Sequence, residues 1–230
     1  MHGNGGFRIG WLAVALGLAV GCGRETAVSV EVATGEPGAS SDPPYSERVV
    51  FRSGLRLTLV RDRGLTATYP APDGNPFGSV RQRHYARVAY FIDLPRTSLS
   101  QQVTANFQIG EYVASARQRG ATRAYVDPQI ADHVQQIRSG LGRPLTLNSG
   151  FRSPEHNRAV GGATYSRHIY GDAVDIDVDQ ARADANVRAQ EIFNEARDVG
   201  VDFVLPLSET SVSVDGQPRV SWVHIDDRGF

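Results

Sequence analysis

The segment "AVDIDV", residues Ala173 to Val178, sets two aspartates into a short, β-branched apolar run. Strand alternation turns Val174, Ile176 and Val178 to one face and Asp175 and Asp177 to the other. An ionised carboxylate buried alone is costly, so this second face calls for a cation, a donor or a metal. The tail repeats the arrangement: in "WVHID" the same period puts Trp222, His224 and Asp226 on one face and Val223 and Ile225 on the other. Two such strands constrain the chain to a sheet with one face packed on helices and one face carrying polar chemistry.

The surrounding pattern is mixed α and β. "VDPQIADHVQQIRSGLGRP" predicts an amphipathic helix with Asp127 as N-cap, Pro128 at its first position and Ile130, Val134, Ile137 and Leu141 on one stripe. "PLTLNSGF" reads as a strand, and "SPEHNRAVGG" as a short helix capped by Ser153 and stopped by two glycines. Residues 184–199 read as a helix with Val187, Ile192, Phe193, Ala196 and Val199 on its apolar side. "TSVSVDGQPRVSWVHID" reads as a hairpin turning at Asp215 and Gly216. Upstream, "FRSGLRLTLV" and "ARVAYFIDL" are strand-like on either side of the turn-dense "YPAPDGNPFG". Residues 47–97 are therefore expected as a small β-rich subdomain packed on a second unit, 98–230. The expected class is α+β, a small antiparallel sheet flanked by helices and preceded by the short β subdomain.

The chain has 230 residues, 40% hydrophobic and 21% charged, with a formal net charge of -1, which is a globular composition without a global basic field for nucleic acid. Its start differs from the rest: Arg8, then "IGWLAVALGLAVG", then Cys22, the only cysteine. The apolar run is too short to span a bilayer comfortably and reads as part of a signal peptide, residues 1–22. "LAVGC" resembles a bacterial lipoprotein signal, in which the cysteine after Gly21 is lipidated; the alternative is an ordinary secretory signal with a buried Cys22. Lipidation would anchor the chain to a membrane without spanning it. Gly23 in place of an aspartate points to the outer membrane in a Gram-negative source. Residues 23–46, rich in Gly, Ala, Ser, Pro and Glu, read as a flexible tether. The expected setting is thus the cell envelope, facing the periplasm.

In "SRHIYGDAVDIDV" a histidine, His168, stands in the loop that leads into the first polar-faced strand, and Gly171 lets the backbone turn sharply. Two neighbouring strands can converge Asp175 and His224, and His168 can join them. Two imidazoles and one carboxylate suffice for Zn²⁺ with a fourth position left for water. Taken singly, each residue has a plainer reading: a loop histidine making hydrogen bonds, or an aspartate paired with one of the many arginines.

The stretch from "TANFQIGEYV" through "LTLNSGFRSPEHNRAVGGATYSRHIYGDAVDIDV" to "SWVHIDDR" resembles the zinc D-Ala-D-Ala carboxypeptidase family of metallopeptidases. That family belongs to the superfamily holding lysostaphin-like peptidases and the hedgehog domain. The resemblance covers about Ser98 to Arg228. Its markers are Asn106, Phe107 and Glu111, then "SGFRS", "HN" followed by "GG", Ser166, a histidine with an aspartate seven residues on, and the late "HID". It implies a hedgehog/D-Ala-D-Ala-peptidase-like fold and one zinc ion held by His168, Asp175 and His224. It also implies that Arg152 binds substrate and steadies the oxyanion, and that the substrate is a peptide bond in peptidoglycan stem peptides or cross-links.

Many relatives carry an acid three residues before the last zinc histidine, or a histidine two before it; here those positions are Ser221 and Trp222. The sequence fits better an endopeptidase-like subgroup with a "VHID" motif. Asp226 is accordingly the expected general base, with Asp172, Glu155 and Glu209 also open and Asp227 expected to face away. Ser166 and Tyr170 are expected to line the substrate groove, with packing as the alternative for Tyr170, and Asp177 to support the site or to face solvent. The departure keeps open a second class of function, a catalytically inactive zinc-containing module that binds cell-wall peptide.

Overall fold

The computed structural model describes residues 47–229; the expected signal peptide 1–22, its Cys22 and the tether 23–46 lie outside the described residues. In chain order the upstream elements are β1 (Arg48–Val50), β2 (Arg56–Thr58), β3 (Val60–Arg61), α1 (Arg63–Ala67) and β4 (Tyr90–Asp93). They are followed by α2 (Ile109–Gln118), β5 (Arg123–Ala124), α3 (Pro128–Leu141), β6 (Leu147–Ser149) and α4 (Pro154–Ala159). Next come β7 (Ala173–Asp177), α5 (Ala185–Asp198), β8 (Phe203–Val204), β9 (Ser211–Val214), β10 (Gln217–Val220) and β11 (Trp222–Asp226). This is the expected α+β class.

The sheet that matters for chemistry has four strands in the order β6-β7-β11-β8, each antiparallel to its neighbour. Its register pairs His224 with Asp175, and Ser149 of β6 also stands across from Asp175. Ser149, Asp175 and His224 therefore form one row across three strands. On the other face Val174, Ile176, Val223 and Ile225 are fully buried and join the core with α3 and α5. Each such side chain contributes about 1.5–3 kcal/mol relative to exposure, so the apolar face fixes the register and with it the polar row.

The helices follow their end signals. Asp127 caps α3 by accepting from the backbone N–H of Gln129, and the helix ends on Gly142 in the left-handed region at φ 61°. Ile130, Ala131, Val134 and Ile137 are its buried stripe. Ser153 caps α4 by accepting from the N–H of His156. Glu111 completes a capping box at α2 with Gln108, while Asn106 accepts from Gln135 and Arg138 of α3. Of the three lead-in residues of the resemblance, Glu111 thus organises the start of α2, Asn106 ties its segment to side chains of α3, and Phe107 is core.

Three expectations are corrected. In α5, Val187 is exposed; the buried side runs through Ala185, Ala189, Ile192 and Ala196, so the helix is rotated toward its small residues. The hairpin at Asp215 and Gly216 forms, both residues having positive φ, but it joins β9 to β10; β11 is the next strand and inserts between β7 and β8. Residues 47–97 hold short helical turns as well as strands. Their last strand, β4, lies between β3 and β5 in a three-stranded sheet, so it is paired directly to the chain beyond residue 97. No sequence signal near Ser98 marks that pairing, because β5 is only two residues long.

Candidate metal centre

His168 sits on the single helical turn Arg167–Tyr170, which ends on Gly171 at φ 77°. A Cβ at Gly171 would come within 2.5 Å of the Tyr125 carbonyl oxygen, so both the turn and the close approach require glycine. The His168 ring is buried and its Nδ1 lies 2.7 Å from the Gly150 carbonyl oxygen. A carbonyl can only accept, so Nδ1 carries the proton and Nε2 is the free ligating atom. Gly150 in turn packs so tightly on the backbone of Tyr112 in α2 that a side chain there would collide.

His168 Nε2 lies 3.2 Å from Oδ1 of Asp175, and His224 Nδ1 lies 2.8 Å from the same oxygen. The second oxygen of Asp175 accepts from Nη2 of Arg152 at 2.7 Å, and Nε of Arg152 donates to Ser149 Oγ at 2.9 Å. Behind His224, Oδ2 of Asp226 is 3.1 Å from Nε2. Arg228 donates to both Asp226 oxygens, at 2.6 and 2.5 Å, and its guanidinium lies 3.7 Å from the centroid of Phe203. An ionised Asp226 accepts from Nε2 of His224, and a metal at Nδ1 would take the place of the proton that Nδ1 otherwise shares with Asp175.

The electrostatics follow from this arrangement. Burial pushes the Asp175 carboxyl up, but His168 and His224 outweigh burial and hold it well below the usual carboxylate range. Burial lowers His168 below an ordinary histidine against the opposing pull of Asp175. Burial acts the same way on His224, yet its bonds to Asp175 and Asp226 carry it up to about 9. Burial likewise pushes up Asp226, but Arg228 and His224 together bring it below its ordinary value.

The residues fit a metal. One ligand atom from each of His168, Asp175 and His224 lies within 4.8 Å of the others, and each group is held from behind by Gly150, Arg152 or Asp226. Two imidazole nitrogens and one carboxylate oxygen with such outer partners could serve as three ligands to a zinc ion. The three border a cavity of about 550 Å³ that also takes in Arg152, Ser166, Phe77, Phe203 and Trp222.

The remaining residues singled out in the sequence are placed as follows. Asp226, expected as the base, borders the cavity, but its side chain is 0% exposed and its oxygens are engaged by Arg228 and His224. The strand period put it on the right face; two residues along, it lies beyond the ring of His224 and not beside the converging atoms. Tyr170, expected to line the groove, is fully buried, edge-on to Tyr69 and Tyr85. Asp172 is buried against Arg167, while Glu155 and Glu209 are exposed and do not border the cavity. Asp177 is half-buried and accepts from Asn148 at 3.1 Å. Asp227 pairs with His133 of α3 at 2.9 Å. The sequence reading missed Arg228, whose signal is its place two residues after Asp226, and Phe77, hidden in the turn-dense segment.

Comparison with known proteins adds to this geometry. A stretch of 44 residues is 50% identical to the zinc D-Ala-D-Ala carboxypeptidase of Streptomyces albus G, spanning 19% of this chain and 17% of that protein. The peptidase M15 family matches residues 105–204, a span that includes Arg152, His168 and Asp175 and stops before His224. The fold brings the third ligand in from outside that span, by the pairing of β11 with β7. Over residues 105–204, under half of its length, the chain is similar to the peptidase M15 family.

Proposed function

We propose that this protein is a zinc-dependent peptidase that hydrolyses peptide bonds in peptidoglycan stem peptides or cross-links. The observation that carries the reading is the convergence of His168 Nε2, Asp175 Oδ1 and His224 Nδ1 beside Arg152 in one cavity. Bound to these atoms, a single zinc ion would act as a Lewis acid that activates water near neutral pH. Arg152, held by Asp175 and Ser149, donates to the substrate carbonyl oxygen as negative charge develops there. Gly150 and Asp226 fix the tautomers of the two imidazoles. Ser166 borders the cavity and offers a hydroxyl to the substrate backbone. The signal-like sequence pattern ending at Cys22 supports the reading of an envelope location on a lipid anchor, where peptidoglycan is at hand.

A second reading, a zinc-holding module that binds cell-wall peptide without cutting it, draws on one observation. The two acids that border the cavity are both engaged, Asp175 by the histidines and Arg152, Asp226 by Arg228 and His224. Digestion of purified peptidoglycan by the zinc-loaded protein, followed by mass analysis, separates the readings. New fragments from wild type and none from His224→Ala are expected for the peptidase. Retention on peptidoglycan with no fragment would favour the binding module. Loss of single terminal residues marks a carboxypeptidase, and splitting of cross-links an endopeptidase.

Asp226→Asn tests the role of that carboxylate. An orienting partner of a ligand histidine is worth roughly 10–100-fold in metal affinity. The variant is expected to bind zinc that much more weakly and to regain cleavage when zinc is saturating. Cleavage that stays lost with zinc fully bound would return Asp226 to the role of proton acceptor.

A further inference from the structure

Upstream of the family match, residues 74–85 supply one wall of the cavity around His168, Asp175 and His224, through Gly74, Pro76, Phe77 and Tyr85. That wall is tied to the metal-bearing loop. Tyr165 donates to the Ala71 carbonyl at 2.8 Å, and Nη1 of Arg167 donates to the His84 carbonyl at 2.7 Å. Tyr85 stands edge-on to Tyr165 and to Tyr170, with ring centroids 5.5 and 5.8 Å apart. Gly74 lies so close to the Tyr165 hydroxyl that a Cβ would not fit.

Within the wall, Asn75 builds the turn that carries Phe77. Its amide donates to the carbonyls of Pro72 and Gly78, and its side-chain oxygen accepts from the N–H of Phe77. The Phe77 ring stacks on Tyr85 at 6.2 Å and yet remains 46% exposed. It is the one aromatic ring among the exposed large apolar side chains of the described residues. Phe203, Leu205 and Trp222 border the same cavity, so apolar surface is concentrated beside the three ligating side chains. A ring with this exposure on a fixed turn gains further burial from an apolar group that packs on its exposed part.

We propose that Phe77 is a specificity-determining residue whose ring packs against an apolar side chain of the substrate residue flanking the bond at the metal centre. The proposal rests on the reading of this cavity as a peptidase site. A substrate alanine presents a methyl group to the ring; a glycine leaves the ring wet. Because the wall is held from the loop that carries His168, Phe77 keeps its place relative to the metal ligands before substrate arrives.

Calorimetric titration of zinc-loaded wild type, Phe77→Ala and Phe77→Leu with three phosphinic pseudodipeptides tests this. The probes carry a methyl group on the amino-side flank, on the carboxyl-side flank, or on neither. One methyl-bearing probe is expected to bind wild type about fourfold tighter, or more, than the bare probe. Phe77→Ala should erase that preference and Phe77→Leu keep part of it, read as the ratio of methyl-bearing to bare probe affinity within each variant. Equal affinity of the three probes for wild type, or a preference intact in Phe77→Ala, would overturn the proposal. Peptidoglycan left whole by a wild type that still discriminates would count against the hydrolase reading while supporting the role of Phe77.

Discussion

Asp175→Ala is expected to lower bound zinc from about one ion per chain to a small fraction and to reduce peptide hydrolysis by at least ~10³-fold. The size of the effect comes from where Asp175 stands. It is the middle member of the cross-strand row, and His168, His224 and Arg152 all point at its two oxygens. Removing it deletes one of three ligands and leaves three nitrogen-bearing side chains facing one another without an anion. Breaking a buried charge arrangement from one side costs about 3–5 kcal/mol, so the metal-free protein should also lose stability. Thermal melts with zinc and with a chelator separate the two effects. Wild type gains stability with zinc by mass action, whereas the variant should melt low and at the same temperature in both conditions. A variant that still gains stability on adding zinc would remove Asp175 from the ligand set.

The same row explains how a short sheet serves both packing and chemistry. Val174 and Ile176 alternate with Asp175, and Val223 and Ile225 flank His224 on the same side, so every residue that drives register also positions a ligand. A slip of one residue would bury Asp175 and His224 against α5 and expose four core side chains. The geometry of the candidate metal site is thus specified by hydrophobic burial on the opposite face.

How much of this was legible in the sequence depends on the range of the interaction. The period of two in "AVDIDV" and "WVHID" assigned faces without knowledge of the fold, and Asp127, Ser153 and Gly142 marked helix ends through local chemistry. His168, Asp175 and His224 could be named together because the strand period allowed them to converge and the family resemblance implied that set. Alternation put Asp226 on the face of His224 but could not show that its oxygens meet Nε2 of that ring and the Arg228 guanidinium. Tyr170 read as a groove residue because proximity in sequence to His168 hides the fact that the turn Arg167–Tyr170 sends it into the core. The wall around Phe77 was not legible at all, since it depends on Tyr165 and Arg167 reaching more than eighty residues back along the chain.

Arg167→Met carries the second large expectation, a loss of about 3–5 kcal/mol in folding stability at pH 8 that shrinks toward pH 5. Arg167 and Asp172 are both buried and form a two-bond ion pair; the guanidinium also donates to the His84 carbonyl and lies over the rings of Tyr85 and Tyr170 at 5.1 and 4.5 Å. Burial pushes the Asp172 carboxyl above its ordinary value, and Arg167 is the group that opposes that push. Without the guanidinium the upward push stands unopposed, and a group whose folded pKa exceeds its unfolded value binds its proton more tightly in the folded state. Stability therefore falls as pH rises from the unfolded value toward the folded one, and the variant is hurt most where Asp172 would be ionised. Chemical denaturation of wild type and variant at pH 5 and pH 8 reads the difference directly. Adding Asp172→Leu should recover most of the loss at pH 8, since an apolar pair of similar volume is often no worse than the ion pair it replaces. An equal loss at both pH values, or a double variant no better than Arg167→Met, would show that the guanidinium stabilises through its packing on Tyr85 and Tyr170 and not through Asp172.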